Sequence, residues 1–101
     1  KVMWYVFNAK DVENSLEKRL QFRPLHLARL MILIEQGRLL IAGAYPAIDS
    51  IDPGPAGFFG SLIIAEFEDL EAAKKWADEE PFLIHGIYQS IDVKPFRKSL
   101  P

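Results

Sequence analysis

The hydrophobic positions change period along the chain. Met3 to Ala9 (Met-Trp-Tyr-Val-Phe-Asn-Ala) is aromatic and β-branched, and it reads as a strand apolar on both faces. From Ser15 a helical spacing takes over and runs to Gly37, a residue suited to a left-handed C-cap. Ser15 is the expected N-cap, although Lys18 stands where a capping box would carry an acid. Pro24 lies inside this span and predicts a kink, or a split into a first turn and a longer segment starting near Pro24. At about 100° per residue, Leu16, Leu20, Leu27, Met31 and Ile34 share one stripe, which is expected to face a sheet.

Arg38 to Tyr45 predicts a second strand, and Pro46 to Gly57 a loop rich in proline and glycine. Phe58 to Phe67 predicts a third strand, and Asp69 caps a second helix reaching Ala77. Glu80-Pro81-Phe82 opens a turn or helical fragment, and Gly86 to Phe96 is a fourth strand. The order βαββαβ is that of a ferredoxin-like α+β fold, a four-stranded antiparallel sheet with two main helices on one face. Residues 1–101 are expected to form a single domain. Helices cover one side of such a sheet, yet Met3-Trp4-Tyr5-Val6-Phe7 and Leu62-Ile63-Ile64-Ala65 offer apolar groups to both. The uncovered patch would span several hundred Å² on the usual scale of such faces. A two-fold homodimer, sheet against sheet, is the expected cover.

Composition narrows the partners. Half of the 101 residues are hydrophobic and 26% are charged, the balance of a folded protein rather than a disordered one. With 12 Lys and Arg against 14 Asp and Glu, the net charge of −2 gives no field to gather nucleic acid or an anionic bilayer. No apolar run approaches the roughly 20 residues of a membrane span, and no secretory signal pattern opens the chain. The absence of cysteine removes disulfides and thiol chemistry and fits a reducing cytoplasm, so a cytoplasmic location is expected.

Candidate chemistry gathers on the first helix, where Arg19, Arg23, His26 and Leu30 fall off the centre of the apolar stripe as a basic edge. A histidine flanked by arginines suits proton transfer on an anionic substrate, since imidazole titrates near pH 6.5. It suits equally the plain rim of a folded helix. Asp49, in Pro46-Ala47-Ile48-Asp49-Ser50, is the candidate carboxylate partner, either there or as a turn starter. Counting along helix and strand places the residue level with His26 near Gly43, so Asp49 reaches it only if the loop folds back or a partner subunit supplies it. Gly57-Phe58-Phe59-Gly60-Ser61 opens a strand and is no phosphate loop; Gly60 permits either a bulge or close ligand approach, and Ser61 offers a hydroxyl. His85 precedes Gly86 and reads as a surface loop residue. No metal site is expected, because His26 and His85 lack a nearby ligand set.

In these segments, together with Arg23-Pro24-Leu25-His26-Leu27, Gly37-Arg38-Leu39-Leu40-Ile41-Ala42-Gly43, Ala72-Ala73-Lys74-Lys75-Trp76-Ala77 and Val93-Lys94-Pro95-Phe96, the chain resembles the YciI-like family nearly end to end. The resemblance implies a dimeric α+β barrel related to muconolactone-isomerase-like proteins, with a His-Asp pair as active site, matched here to His26 and Asp49. It also brings one branch that removes chloride from chlorinated aromatic diols. Family members often carry Gly-Pro at Gly43-Ala44, small polar residues at Ile41 and Phe59, and Asp-Pro-Tyr at Glu80-Pro81-Phe82, so a more apolar pocket is expected here. Two functions follow as expectations. One is a cofactor-independent enzyme of isomerase, lyase or hydrolase type acting on a small anionic or aromatic metabolite, with Arg23, Arg19, Ser61 and Gly60 contacting substrate. The other is a non-catalytic dimeric module that binds such a metabolite.

Overall fold

The computed structural model describes residues 2–101. Strand β1 (Met3–Asp11) leads into helix α1 (Leu16–Glu35), and β2 (Leu39–Pro46) follows. After a short 3-10 turn at Gly54–Ala56 come β3 (Phe58–Phe67), α2 (Leu70–Asp78), the one-turn helix α3 (Pro81–Ile84) and β4 (Tyr88–Phe96). The strands stand in the order β2-β3-β1-β4, and every neighbouring pair is antiparallel. This is the ferredoxin-like α+β fold expected from the sequence, with α3 added between α2 and β4.

Strand alternation sorts the residues of β1 and β3 between two environments. Tyr5 and Phe7 lie opposite Ala65 and Ile63 and are buried under the helices. Leu30 and Leu33 of α1, with Ala73 and Ala77 of α2, close that core, and the Phe7 ring meets the Phe67 and Trp76 rings edge-on at 5.5 and 5.1 Å. A second cluster, Ala9, Phe82, Ile87 and Tyr88, packs beneath α3. On the outer face, Trp4, Val6 and Leu62 remain half-buried and Ile41 is 55% exposed, so the sheet is apolar on both sides as its sequence implied.

The roll of α1 differs from the stripe that its hydrophobic spacing predicts. Its buried residues are Arg19, His26, Leu30 and Leu33, whereas Leu20, Leu27, Met31 and Ile34 are 65%, 37%, 53% and 51% exposed. The cause is polar: Arg19 and His26 each find a buried carboxylate below the helix, and turning the leucine stripe inward would leave the Asp11 and Glu80 carboxylates buried without those partners. Pro24 does not divide α1. It sits on the exposed side, where water can satisfy the carbonyl that its missing N–H leaves free.

Local chemistry fixes the remaining ends. Gly37 takes φ +68° and lets the backbone N–H groups of Gly37 and Arg38 return to Ile34 and Leu33, closing α1 as expected. Ser15 is no side-chain cap; its hydroxyl donates instead to Asp11 Oδ2 at 2.5 Å. Asp69 does cap α2, accepting from the Ala72 N–H at 2.8 Å. A register shift between Lys10 and Asp11 sets Tyr88 opposite Asp11, turning both toward the helix layer.

At Gly60, β3 approaches β1 so closely that a Cβ would stand 2.2 Å from the Ala9 carbonyl oxygen and 2.9 Å from the Tyr45 ring. Gly60→Ala is therefore expected to cost about 2 kcal/mol or more in urea unfolding. Gly43→Ala, whose new methyl meets nothing within 4 Å, should stay within about 0.5 kcal/mol of the parent. Equal midpoints for the two variants would refute this account of Gly60.

Candidate functional site

Because α1 is rolled outward, it does not seal against β2 and the adjoining part of β3. Between them lies an open cleft of about 790 Å³, a size typical of small-molecule sites. Arg19, Arg23 and His26 line it from the helix, and Ser61 lines it from β3. Residues Asp52 to Gly54 of the 47–57 loop reach its margin.

His26 is held from behind. Its Nδ1 is 2.5 Å from Glu80 Oε1, its ring stacks on Phe82 at 4.2 Å and 7°, and only 8% of the residue is exposed. Glu80 is wholly buried at the N-cap of α3, and its Oε2 accepts the Phe82 backbone N–H at 2.6 Å. An acceptor-only carboxylate at Nδ1 assigns the proton to that nitrogen and leaves Nε2 as the free position of the ring. Nε2 has no hydrogen-bond partner among the described residues. This is the arrangement of an oriented general base.

Arg19 is equally constrained, though it is not free to bind substrate charge. Its Nε and Nη2 pair with the two carboxylate oxygens of Asp11 at 2.6 and 3.0 Å, and Nη2 also donates to the Gly60 carbonyl at 3.0 Å and to Ser61 Oγ at 2.8 Å. The guanidinium lies over the rings of Phe58 and Phe82. Asp11 thus neutralises Arg19, which in turn fixes the Ser61 hydroxyl at the cleft wall. The Tyr88 hydroxyl is buried nearby. Burial pushes it well above the usual phenol range; Ser61, alongside but short of a well-formed hydrogen bond, eases its ionisation, as Arg19 does, while Glu80 and Asp11 oppose it.

Of the residues singled out from sequence, His26, Arg19, Arg23 and Ser61 come together at the cleft. Asp49 does not join them. It is exposed in the loop after β2 and lines a separate shallow depression with Pro46 to Ile51, while Glu80 occupies His26 Nδ1. Gly60 contributes its carbonyl to Arg19 and its missing side chain to strand packing, and it is not part of the cleft wall. Ile41 and Phe59 also lie outside that wall; Phe59 stacks on Tyr45 at 5.3 Å. His85 is exposed and stacks on Phe22. Among the described residues, no group of His, Cys, Asp and Glu is placed to hold a metal, and no helix is long and apolar enough to cross a membrane.

Glu80 and Asp11 are the site residues that sequence reading missed. A signal for the first existed: Glu80-Pro81-Phe82 stands where YciI-like proteins often carry Asp-Pro-Tyr. The carboxylate of that segment is the one that meets His26, one methylene longer than the aspartate the resemblance implies. Asp11 gave no signal, because a strand-end acid reads as solvated.

These observations define a ferredoxin-like α+β protein with a helix-borne histidine, backed by a buried carboxylate, at the wall of a small-molecule cleft. The chain belongs to the YCII-related domain family, which residues 3–97 match. It is 59% identical over 96 residues to Protein YciI of Escherichia coli O6:H1, covering 95% of this chain and 98% of that one. An uncharacterized protein of Haemophilus influenzae is 53% identical over the same proportions. Among solved structures, the 5-chloro-2-hydroxyhydroquinone dehydrochlorinase TftG of Burkholderia phenoliruptrix AC1100, in complex with 2,5-dihydroxybenzoquinone, superposes with a TM-score of 0.83 at 22% identity over 96% of each chain. That likeness is one of fold.

The Asp11–Arg19 pair yields a stability test. Arg19→Met leaves the Asp11 carboxylate buried with only Ser15 as partner and is expected to cost about 3–5 kcal/mol. The double variant Asp11→Leu/Arg19→Met, which removes both charges, should recover a large part of that loss in urea unfolding. Simple additivity of the two single losses would show that the pair is not the coupled unit described.

Proposed function

We propose that this protein is an enzyme of proton-transfer type, with His26 as the acid or base that moves a proton on a small molecule held in the cleft. The observation that carries the reading is the 2.5 Å contact of His26 Nδ1 with the fully buried Glu80. A carboxylate there fixes the tautomer, aims Nε2 and stabilises the imidazolium that forms when a proton is taken up. In this reading Glu80 fills the role that the family resemblance gave to an aspartate. Ser61, held by Arg19, hydrogen-bonds a substrate oxygen, and Arg23 receives an anionic group. Isomerisation, elimination and hydrolysis are all within reach of such a site. TftG, whose name records loss of chloride from a hydroxyhydroquinone, supports small-molecule chemistry on this fold.

The test is a metabolite screen by thermal shift on the parent and on His26→Ala, followed by incubation of each stabilising compound in heavy water. The parent should exchange a carbon-bound proton of the hit or convert it. His26→Ala should lower that rate by about 10²–10⁴-fold, and Glu80→Gln should lower it while leaving affinity nearly intact. A ligand bound with neither exchange nor conversion would establish the non-catalytic binding module instead.

The same reading takes the outer face of the sheet as the contact between two copies in a cytoplasmic dimer, because Trp4, Val6, Leu62 and Ile41 form an apolar patch with no cover in the single chain. Sedimentation should give a dimer for the parent and a shift toward monomer for Ile41→Glu. A monomeric parent would overturn that assignment.

A further inference from the structure

The polar groups of the cleft gather toward one end, among apolar side chains, and the other end is apolar on both walls. Along α1 the lining passes from Leu16, Arg19, Leu20, Arg23 and His26, where the polar groups stand among leucines, to the wholly apolar run Leu27, Leu30, Met31 and Ile34. Across from it, Ser61 stands at the polar end, and Ile63 and Leu39 stand toward the apolar one. From His26 to Ile34 the helix rises about 12 Å. A proton-transfer site needs none of that length.

Charge narrows the polar end. Arg19 is neutralised by Asp11, whereas Arg23 lines the cleft with no carboxylate or other hydrogen-bond partner among the described residues. Asp52, at the margin, accepts from the Gly54 N–H and adds a negative charge of its own. A cleft lined by one acid and by one guanidinium without a carboxylate partner among the described residues suits a monoanion better than a phosphate dianion, and a carboxylate matches the guanidinium fork. Leu27, Met31 and Ile34, 37–53% exposed, are apolar surface that an occupant would dry.

We infer that the ligand of this cleft is an amphipathic carboxylate: its carboxyl group lies at Arg23 and Ser61, within reach of His26, and its extended apolar body runs along α1 toward Ile34. This rests on the reading that the cleft is the substrate site, and not on His26 acting as a base.

The test is calorimetric titration of the full chain with the straight-chain series from butyrate to decanoate, below micelle formation, with decanol as the uncharged control. Affinity should rise by about fourfold per methylene, the gain expected for burying one CH₂, and level off once the groove is full. Decanol should bind at least about tenfold more weakly than decanoate, the usual scale of a lost charge-assisted hydrogen bond. Arg23→Gln should erase that difference, and Met31→Asp, at an exposed position, should flatten the chain-length slope. A flat slope in the parent, or decanol binding as tightly as decanoate, would overturn the inference. So would a change of oligomeric state alone in Met31→Asp, which would assign the groove to a second copy of the chain. A flat slope in the parent refutes the ligand class alone, while a slope in the parent without proton exchange refutes the proposed chemistry alone.

Discussion

The roll of α1 about its own axis is the constraint on which the rest of the molecule turns, and a buried ion pair and a buried imidazole–carboxylate contact set it. Arg19 reaches Asp11 at the end of β1, and His26 reaches Glu80 at the start of α3. Breaking both pairs would leave buried carboxylates uncompensated, at about 3–5 kcal/mol each, whereas the gain from burying Leu20, Leu27 and Met31, already partly covered, is offset by withdrawing Leu30 and Leu33 from the core. Hydrophobic spacing alone would turn Leu20, Leu27 and Met31 inward. The polar pairs win because Arg19 and His26 lie seven positions apart, nearly two full turns, and so anchor the same face at two heights.

That outcome links stability to the site. The aliphatic residues displaced from the core become one wall of the cleft, and the charges that displaced them become its chemical groups or the supports of those groups. Arg19 shows the division of labour: fully engaged with Asp11, Gly60 and Ser61, it positions a hydroxyl rather than a ligand. Arg23, one turn further on, lines the cleft with no ion-pair or hydrogen-bond partner among the described residues. Two arginines that look alike in sequence differ in surroundings because, among the described residues, only Arg19 has a carboxylate beneath it.

Much of the fold was legible in the sequence because it rests on local signals. The bounds of β3, the Asp69 cap and the Gly37 terminus follow from hydrophobic runs, a side-chain acceptor and a left-handed backbone position. His26, Arg23 and Ser61 were legible as residue types, and they do share the cleft. The partners of the polar residues were not. Asp11 and Arg19 are brought together by the β1–α1 turn, and Glu80 meets His26 from 54 positions away. No periodicity carries such contacts. The choice of Asp49 rested on the family resemblance and on a loop that folds back over α1. The loop does reach the cleft margin, but through Asp52 to Gly54, and Asp49 lies in a separate depression, whereas the carboxylate at His26 comes from the segment after α2.

Glu80 ties that last approach to the histidine in a single unit. It caps α3 through the Phe82 N–H, and the same α3 turn lays the Phe82 ring against the imidazole. The one-turn helix, the buried aromatic ring and the orientation of the imidazole therefore share one carboxylate. A helix of four residues has little stability of its own, so its order depends on the cap and the stacked ring. The carboxylate must serve Phe82 N–H and His26 Nδ1 together, and the added methylene of glutamate over aspartate changes the distance between backbone and ring that both bonds can span. Position 80 accordingly controls where the imidazole stands in the cleft, although its own side chain is wholly buried and never meets what the cleft holds.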